Sequence, residues 1–308
     1  MEDKSKKTYD LLILGAGPAG MAASVYASRY GLNHLIVGKL TGGLASEAHK
    51  VCNFPTETEI SGRDLVSKMQ EAVFFQGGEI INDEVVDIVK NKELFEVNTV
   101  NQSSYCAKNI LAATGTDHKK LNIEKENDFL GKGLSYCVTC DGMFYKNKTA
   151  VVVGGANSAN TASLYLSEIA EKVYQIYRGD KLKGDPTWIN KVLNKDNVEV
   201  IYNNQIVDIK GDLKLEEVVL KENYKGKNSL KVDGVFVEIG TEPKTEVYQK
   251  IGVEVDDSGY IKVNKNQSTN VAGFWAAGDI TNGSNNFRQI ITACSEGAVA
   301  VNDIYMRN

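Results

Sequence analysis

The chain has 308 residues, of which 42% are hydrophobic and 24% charged, and its formal net charge is -5. That is a globular composition, long enough for two ordinary domains, and its acidic balance argues against a nucleic-acid binder. Its apolar runs, such as residues 11–14 and 151–153, are strand-sized and far short of the ~20 residues that cross a bilayer, so no membrane partner is expected. The polar start, residues 1–7, runs straight into a strand and carries no secretory signal. Five cysteines suit a disulfide framework poorly and point to a reducing, cytoplasmic setting, where a disulfide is usually catalytic. Cys52, Cys106 and Cys294 have no partner at motif spacing and read as small buried apolar residues.

Residues 8–14 read as a buried strand that runs into Gly15-Ala16-Gly17-Pro18-Ala19-Gly20 and an Ala-rich helix over 21–30. A second strand follows over 34–37. Strand, G-x-G-x-x-G and helix in that order form a dinucleotide-binding turn. The first Gly makes the turn, the second admits the pyrophosphate, the third lets helix pack on strand, and the helix N-terminus faces the phosphates. No acidic residue ends the second strand, where Gly38 and Lys39 stand, so the ribose must be held otherwise. Residues 41–45 read as a flexible loop, 64–76 as an amphipathic helix after Asn53-Phe54-Pro55, 79–99 as short strands and 109–116 as an apolar strand.

Beyond a Lys-rich connector over 117–125 comes Ser135-Tyr136-Cys137-Val138-Thr139-Cys140-Asp141-Gly142. A disulfide can close and reopen between thiols at this spacing, and a carboxylate follows directly. No second Cys-x-x-Cys accompanies the pair and His118 stands alone, so no metal site is expected. The bland reading is two inert buried cysteines; the reading taken is a redox-active disulfide. Then the first pattern repeats. A strand over 149–153 meets Gly154-Gly155-Ala156-Asn157-Ser158-Ala159, a helix through 169 and a strand over 172–177. Short strands lie between 198 and 232, and a strand over 234–239 ends in Gly240-Thr241, echoing Gly115-Thr116. Such a repeat suggests two similar domains. The end carries a strand closing on Ala276-Ala277-Gly278-Asp279, then a long helix over 289–306. Asp279, at the carboxyl edge of a sheet, is placed to bind a ligand hydroxyl or is a turn residue.

Together the glycine turn at Gly15, Ala113-Thr114-Gly115, the Cys137–Cys140 stretch, Ala276-Ala277-Gly278-Asp279 and Arg288-Gln289 resemble the low-molecular-weight thioredoxin reductases over nearly the whole chain. The resemblance implies an α/β fold of two Rossmann-like, three-layer ββα domains, FAD/NAD(P)-binding in type, the second inserted in the first. The FAD domain would comprise 1–117 and 244–308, and the inserted domain 118–243 would carry the disulfide. It implies FAD at Gly15, Gly17, Pro18, Ala19, Gly20, Gly43, Asn53, Thr114, Gly115, Asp279, Arg288, Gln289 and Ile290. Cys140 would be the thiol nearer the flavin, Cys137 the one that attacks the partner disulfide, and Asp141 the proton donor and acceptor, unless it is only a turn residue. Thioredoxin would be the partner and the assembly a homodimer. Leu44 departs from the Gln that many members carry in that loop.

The second turn departs further. NADPH-using members carry G-x-G-x-x-A and then His-Arg-Arg-x-x-x-Arg for the 2′-phosphate. Here Ala156 replaces the middle Gly, and the run is Tyr177-Arg178-Gly179-Asp180-Lys181-Leu182-Lys183. A guanidinium clamp on phosphate is poorly replaced by a point charge. The chain therefore resembles the branch of flavin thioredoxin reductases whose donor is reduced ferredoxin. The alternatives are an NADPH or NADH enzyme with a degenerate motif, and a non-enzymatic docking module, for which the intact Cys137, Cys140 and Asp141 would be needless. Ferredoxins are generally acidic, so Lys119, Lys120, Lys125, Arg178, Lys181 and Lys183 are candidate contacts, each otherwise a solvated surface cation.

Overall fold

The computed structural model describes residues 8–307. Residues 1–7, on which the expectation about a secretory signal rests, and Asn308 lie outside them. The chain forms two compact units: residues up to 117 with those from 242 make one, and residues 118–241 the other.

The first unit opens with β1 (Thr8–Leu14), α1 (Pro18–Arg29) and β2 (His34–Gly38). After α2 (Gly62–Phe75) come β3 (Ile80–Asn82), β4 (Val85–Asn91), β5 (Leu94–Thr99) and β6 (Ser104–Ala112). β1 is apolar throughout its second half because both faces are covered. Leu11 and Ile13 pack into one buried cluster with Ala19, Ala23 and Ala27 of α1, while Leu12 and Leu14 pack into another with Leu35 and Val37. α2 starts two residues before the expected position because Ser61 caps it, accepting from the Asp64 N–H at 3.1 Å.

β7 (Thr116–His118) leads out of this unit. The second unit contains β8 (Leu134–Ser135), α3 (Val138–Asp141), β9 (Thr149–Val153), α4 (Asn157–Ser167) and β10 (Lys172–Ile176). It continues through α5 (Pro186–Leu193), β11 (Val198–Ile201), β12 (Ile206–Lys210), β13 (Glu217–Tyr224), β14 (Lys227–Lys231) and β15 (Gly234–Val237). β16 (Thr241–Pro243), α6 (Glu246–Gln249), β17 (Phe274–Ala276) and α7 (Ile290–Arg307) complete the chain.

The first sheet has the order β3-β2-β1-β6-β5-β4, with β17 also on β6. β6 divides one edge between two partners. Its first half, Ser104 to Ala107, pairs antiparallel with β5, and its second half, Ile110 to Ala112, pairs parallel with β17. The second unit has a parallel sheet, β11-β10-β9-β15-β8, and a separate antiparallel sheet, β12-β13-β14. The winding β2-β1-β6 of the first unit thus recurs as β10-β9-β15, which is the internal repeat seen in the sequence. Among the described residues no helix is long and apolar enough to cross a membrane.

Several boundaries differ from expectation. β6 begins at Ser104 and stops at Ala112, because the chain turns through Gly115 at φ +66°. β17 is only three residues long, since Gly273 at φ +80° turns the chain just before it. The loop expected over 41–45 contains a 3-10 turn, Gly43–Glu47. α5 lies where the sequence pattern marks no helix; its residues sit in a run rich in Lys, Gly and Asp, and Pro186 at its first position is the local signal.

Candidate active site

In the first unit the glycine turn sits at the carboxyl edge of β1. Gly15 has φ +114°, and a β carbon there would overlap the Ala113 carbonyl, so residues 113–115 pass directly over the turn. A β carbon on Gly20 would overlap the Gly15 carbonyl, so only Gly lets α1 start this close to the strand. Gly17 is the N-cap of α1 with no side-chain cap, Pro18 fills the first helical position, and Ala19 is buried. Around Gly17 there is room: an added β carbon would meet only the Gly42 carbonyl, at 3.9 Å. Gly43 approaches the same place, with an added β carbon 3.7 Å from Gly17 Cα, and Gly42 N–H bonds the Ala16 carbonyl at 2.7 Å.

The other expected residues of this unit gather at the same edge. Thr114 Oγ1 lies 3.0 Å from the hydroxyl of Tyr248, a buried ring whose pKa burial pushes up to about 12. A β carbon on Gly278 would lie 3.0 Å from Ala19 Cβ, and Asp279 follows directly. Burial pushes the Asp279 carboxyl above the usual carboxylate range, against the pull of the Arg288 charge and with a further push from Glu296. Asn53 Nδ2 donates to Gln289 Oε1 at 2.9 Å, which joins two expected positions 236 residues apart in sequence. Arg288 stacks on the Tyr260 ring at 3.7 Å and donates to Asn286 Oδ1 at 2.9 Å. Ile290 is the first residue of α7. A bare turn at a helix N-terminus and a half-buried carboxyl at the strand edge fit the phosphates and a hydroxyl of FAD.

Sequence reasoning missed the groups that hold this edge. Glu296 on α7 is 5% exposed and accepts from Gly278 N–H at 2.7 Å and from the Ser284 hydroxyl at 2.5 Å. Its signal was a lone acidic residue among Ala293, Gly297 and Ala300. Ser284, Asn285 and Asn286 all have positive φ, and Glu296 anchors that left-handed turn just ahead of Arg288. Gly38 also finds its reason. A β carbon at 38 would lie 2.5 Å from Ala16 N, so no acidic side chain fits there, and Lys39 pairs with Glu84 at 2.9 Å.

The cysteines belong to the second unit. Cys137 and Cys140 form a disulfide, with Cα atoms 5.3 Å apart. Cys137 is the N-cap of the short helix α3, and the Cys140 N–H donates to its sulfur at 3.2 Å. That donor favours the sulfur most when it is a thiolate. Cys140 is exposed, whereas Cys137 and Asp141 are half-buried. The Ser135 hydroxyl lies 2.6 Å from Asp141 Oδ2. Upstream, buried Glu126 accepts from the Leu121 and Asn122 N–H groups and from the Tyr136 hydroxyl. Burial, and then the Glu126 bond, raises the Tyr136 pKa.

The second glycine turn precedes α4, whose N-cap is Ala156 with φ -105° and ψ -172°, close to the -82° and -174° of Gly17. A methyl therefore stands, exposed, where the first turn is bare. The Tyr177 ring packs on the turn: a β carbon on Gly155 would meet its Cδ2 at 2.5 Å, and one on Gly179 its Cε1 at 2.6 Å. Residues 183–185 cross the start of α4. Lys183 N–H bonds the Gly155 carbonyl at 2.6 Å, Asn160 Nδ2 the Lys183 carbonyl at 2.9 Å, and Asp185 N–H the Asn157 side chain at 2.8 Å. Lys119, Lys120, Lys125, Arg178, Lys181 and Lys183 are all exposed, on two separate segments.

Residues 9–297 match the family described as pyridine nucleotide-disulphide oxidoreductase. Over 298 residues the chain is 37% identical to a thioredoxin reductase of Listeria innocua, across 96% of this chain and 92% of that protein. The crystal structure of T. acidophilum thioredoxin reductase is similar with a TM-score of 0.91 at 36% identity, covering 98% of this chain and 99% of that one. A ferredoxin-flavin thioredoxin reductase from Clostridium acetobutylicum is 31% identical, with a TM-score of 0.53, over 97% of this chain and 98% of that one.

Proposed function

The chain belongs to the pyridine nucleotide-disulphide oxidoreductase family, and from that premise we propose that it reduces thioredoxin with electrons taken from reduced ferredoxin. It is a flavin-dependent disulfide oxidoreductase, and FAD is its cofactor. Bound FAD accepts electrons singly or in pairs and supplies two of them to a disulfide.

In this reading Gly15, Gly17, Pro18, Ala19 and Gly20 offer the backbone of the first turn to the FAD pyrophosphate, with Gly43, Thr114 and Gly115 alongside. Asp279 holds a hydroxyl, and Asn53, Arg288, Gln289 and Ile290 line the flavin side. Cys140 receives electrons and Cys137 attacks the disulfide of thioredoxin. Asp141 delivers a proton to the leaving sulfur and takes one from the attacking thiol. The resemblance also carries a homodimer. A single species of 33.7 kDa in sedimentation would remove that element.

One observation carries the choice of donor. The Tyr177 ring packs on Gly155 and Gly179, the position where NADPH-using relatives present a guanidinium. Arg178 alone remains of that clamp, and Ala156 puts a methyl where the first turn has Gly17. The solved ferredoxin-flavin enzyme at 31% identity supports the same reading.

Anaerobic flavin bleaching tests it, with NADPH, NADH and reduced ferredoxin offered separately and thioredoxin as final acceptor. Bleaching by ferredoxin alone, with two new thioredoxin thiols, is expected. Reduction by NADPH or NADH within seconds would make this an ordinary pyridine-nucleotide enzyme. Reduction by dithionite without new protein thiols would leave a docking module.

A further inference from the structure

Ser135 opens the cysteine stretch, two residues before Cys137. It closes β8, is 5% exposed and makes three contacts with the residues that do the chemistry. Its hydroxyl lies 2.6 Å from Asp141 Oδ2, accepts the Cys137 N–H at 3.0 Å, and sits 3.3 Å from the Cys137 carbonyl. A hydroxyl has one proton to give, and the carboxylate at the shorter distance receives it. Asp141 N–H in turn reaches the Cys137 carbonyl at 3.2 Å. The contacts close a ring from the Cys137 amide through the Ser135 hydroxyl to the Asp141 side chain, and back through the Asp141 amide to Cys137.

This ring has a consequence for the exchange step. Cys137 attacks the acceptor disulfide; a Cys137–acceptor S–S bond forms, the acceptor S–S bond breaks, and the leaving sulfur takes a proton. Cys140 then attacks the Cys137 sulfur; the mixed disulfide breaks, the second acceptor sulfur leaves and takes a proton, and the Cys137–Cys140 bond is restored. Two electrons have passed to the acceptor. Both proton transfers need a carboxyl held within hydrogen-bond reach of the sulfurs. Asp141 carries two oxygens, and Ser135 occupies one of them.

We propose that Ser135 is a positioning residue for thiol–disulfide exchange: it fixes the Asp141 carboxyl so that Oδ1 serves the thiols, and it holds the Cys137 backbone while the disulfide opens. The proposal rests on the reading of Asp141 as the proton carrier. No feature of the sequence marks Ser135 for this, since its link to Asp141 spans six residues and a change from strand to helix.

The test is a double-mutant cycle on the FAD-loaded enzyme, with Ser135→Ala, Ser135→Thr, Asp141→Asn and the double variant Ser135→Ala/Asp141→Asn. Two rates are read separately: flavin reduction by dithionite, and single-turnover exchange of the reduced enzyme with a thioredoxin disulfide. Ser135→Ala should slow exchange about tenfold, by kcat with KM unchanged, while flavin reduction stays at the wild-type rate. Ser135→Thr should restore exchange to within about twofold, and the double variant should be no slower than Asp141→Asn. Wild-type exchange in Ser135→Ala, beside a slow Asp141→Asn, would overturn the role of Ser135 and leave Asp141 standing. Wild-type exchange in Asp141→Asn would overturn the reading of Asp141 itself. Equal slowing by Ser135→Ala with and without Asp141→Asn would assign the loss to packing and overturn the proposal.

Discussion

At the first glycine turn β2 ends in Gly38, and a β carbon there would lie 2.5 Å from Ala16 N. At the second turn the corresponding position after β10 is Tyr177, whose ring packs on Gly155, the counterpart of Ala16. The two turns share a backbone. Gly17 and Ala156 cap their helices in nearly the same conformation, and each turn is crossed by a strap, Gly42 N–H to the Ala16 carbonyl and Lys183 N–H to the Gly155 carbonyl. They differ in where space is left. The first is bare at Gly17 and Gly43 and closes the strand end. The second adds a methyl at Ala156 and a ring at Tyr177. The two turns thus differ less in their glycine count than in which of their neighbours lack side chains.

The largest effect that would break this comparison is at Gly20. Gly20→Val places a side chain on the Gly15 carbonyl, so FAD should be lost and stability should fall by about 3 kcal/mol or more, read by flavin release and urea unfolding. Gly155→Ala, whose nearest obstacle is the Tyr177 ring, should leave the flavin spectrum unchanged. Next in size is a repair of the second turn. Ala156→Gly with Tyr177→His, Gly179→Arg and Lys183→Arg should tighten NADPH binding at least tenfold, about 1.4 kcal/mol, by calorimetry. If the fourfold variant binds no better than wild type, the Tyr177 ring does not close the site.

The second unit should also respond to acid. Hydrogen bonds from Lys225 first, then Tyr224 and Lys172, hold the Glu199 carboxyl at about 2, below its ordinary 4.5. Ionised Glu199 therefore stabilises the unit fully above pH 4.5, and that contribution is lost as the pH falls through about 2. The Lys225 side chain is 70% exposed, so solvent screening reduces that contribution. Urea midpoints at pH 7 and pH 3 should converge in Glu199→Gln relative to wild type. The smallest effect is at Lys39. Its ion pair with Glu84 is exposed, so Lys39→Ala should change stability by less than about 0.5 kcal/mol and leave FAD affinity unaltered. Weakened FAD binding would mean that the end of β2 touches the cofactor after all.

The repeat and the parallel strands were legible because buried parallel strands such as 8–14 and 149–153 are written as apolar runs that stop at glycine turns. The Cys137–Cys140 pair and the glycines were legible because their chemistry lies in local spacing. Glu296, Tyr248 and Ser135 were not. Each acts through a contact with a residue distant in sequence or on another element, and nothing local distinguishes Ser135 from any other serine near a turn. Ends of elements were blurred for a related reason: β6 stops where Gly115 turns, and α2 starts where Ser61 caps, although the apolar pattern runs on in one case and begins later in the other.

The division of β6 between two partners has a consequence during synthesis. Its second half stays unpaired on that edge until Phe274 to Ala276 have been made, and α1 has no α7 to pack on before that point. At ~5–20 residues per second the ribosome needs on the order of ten seconds to travel that far. Residues 118–241 are contiguous and meet no such delay. The nascent chain therefore presents the segment bearing the two cysteines before the cofactor edge can close, and a chaperone that shields β6 and α1 over this interval would raise the yield of the flavin-loaded form without altering its stability.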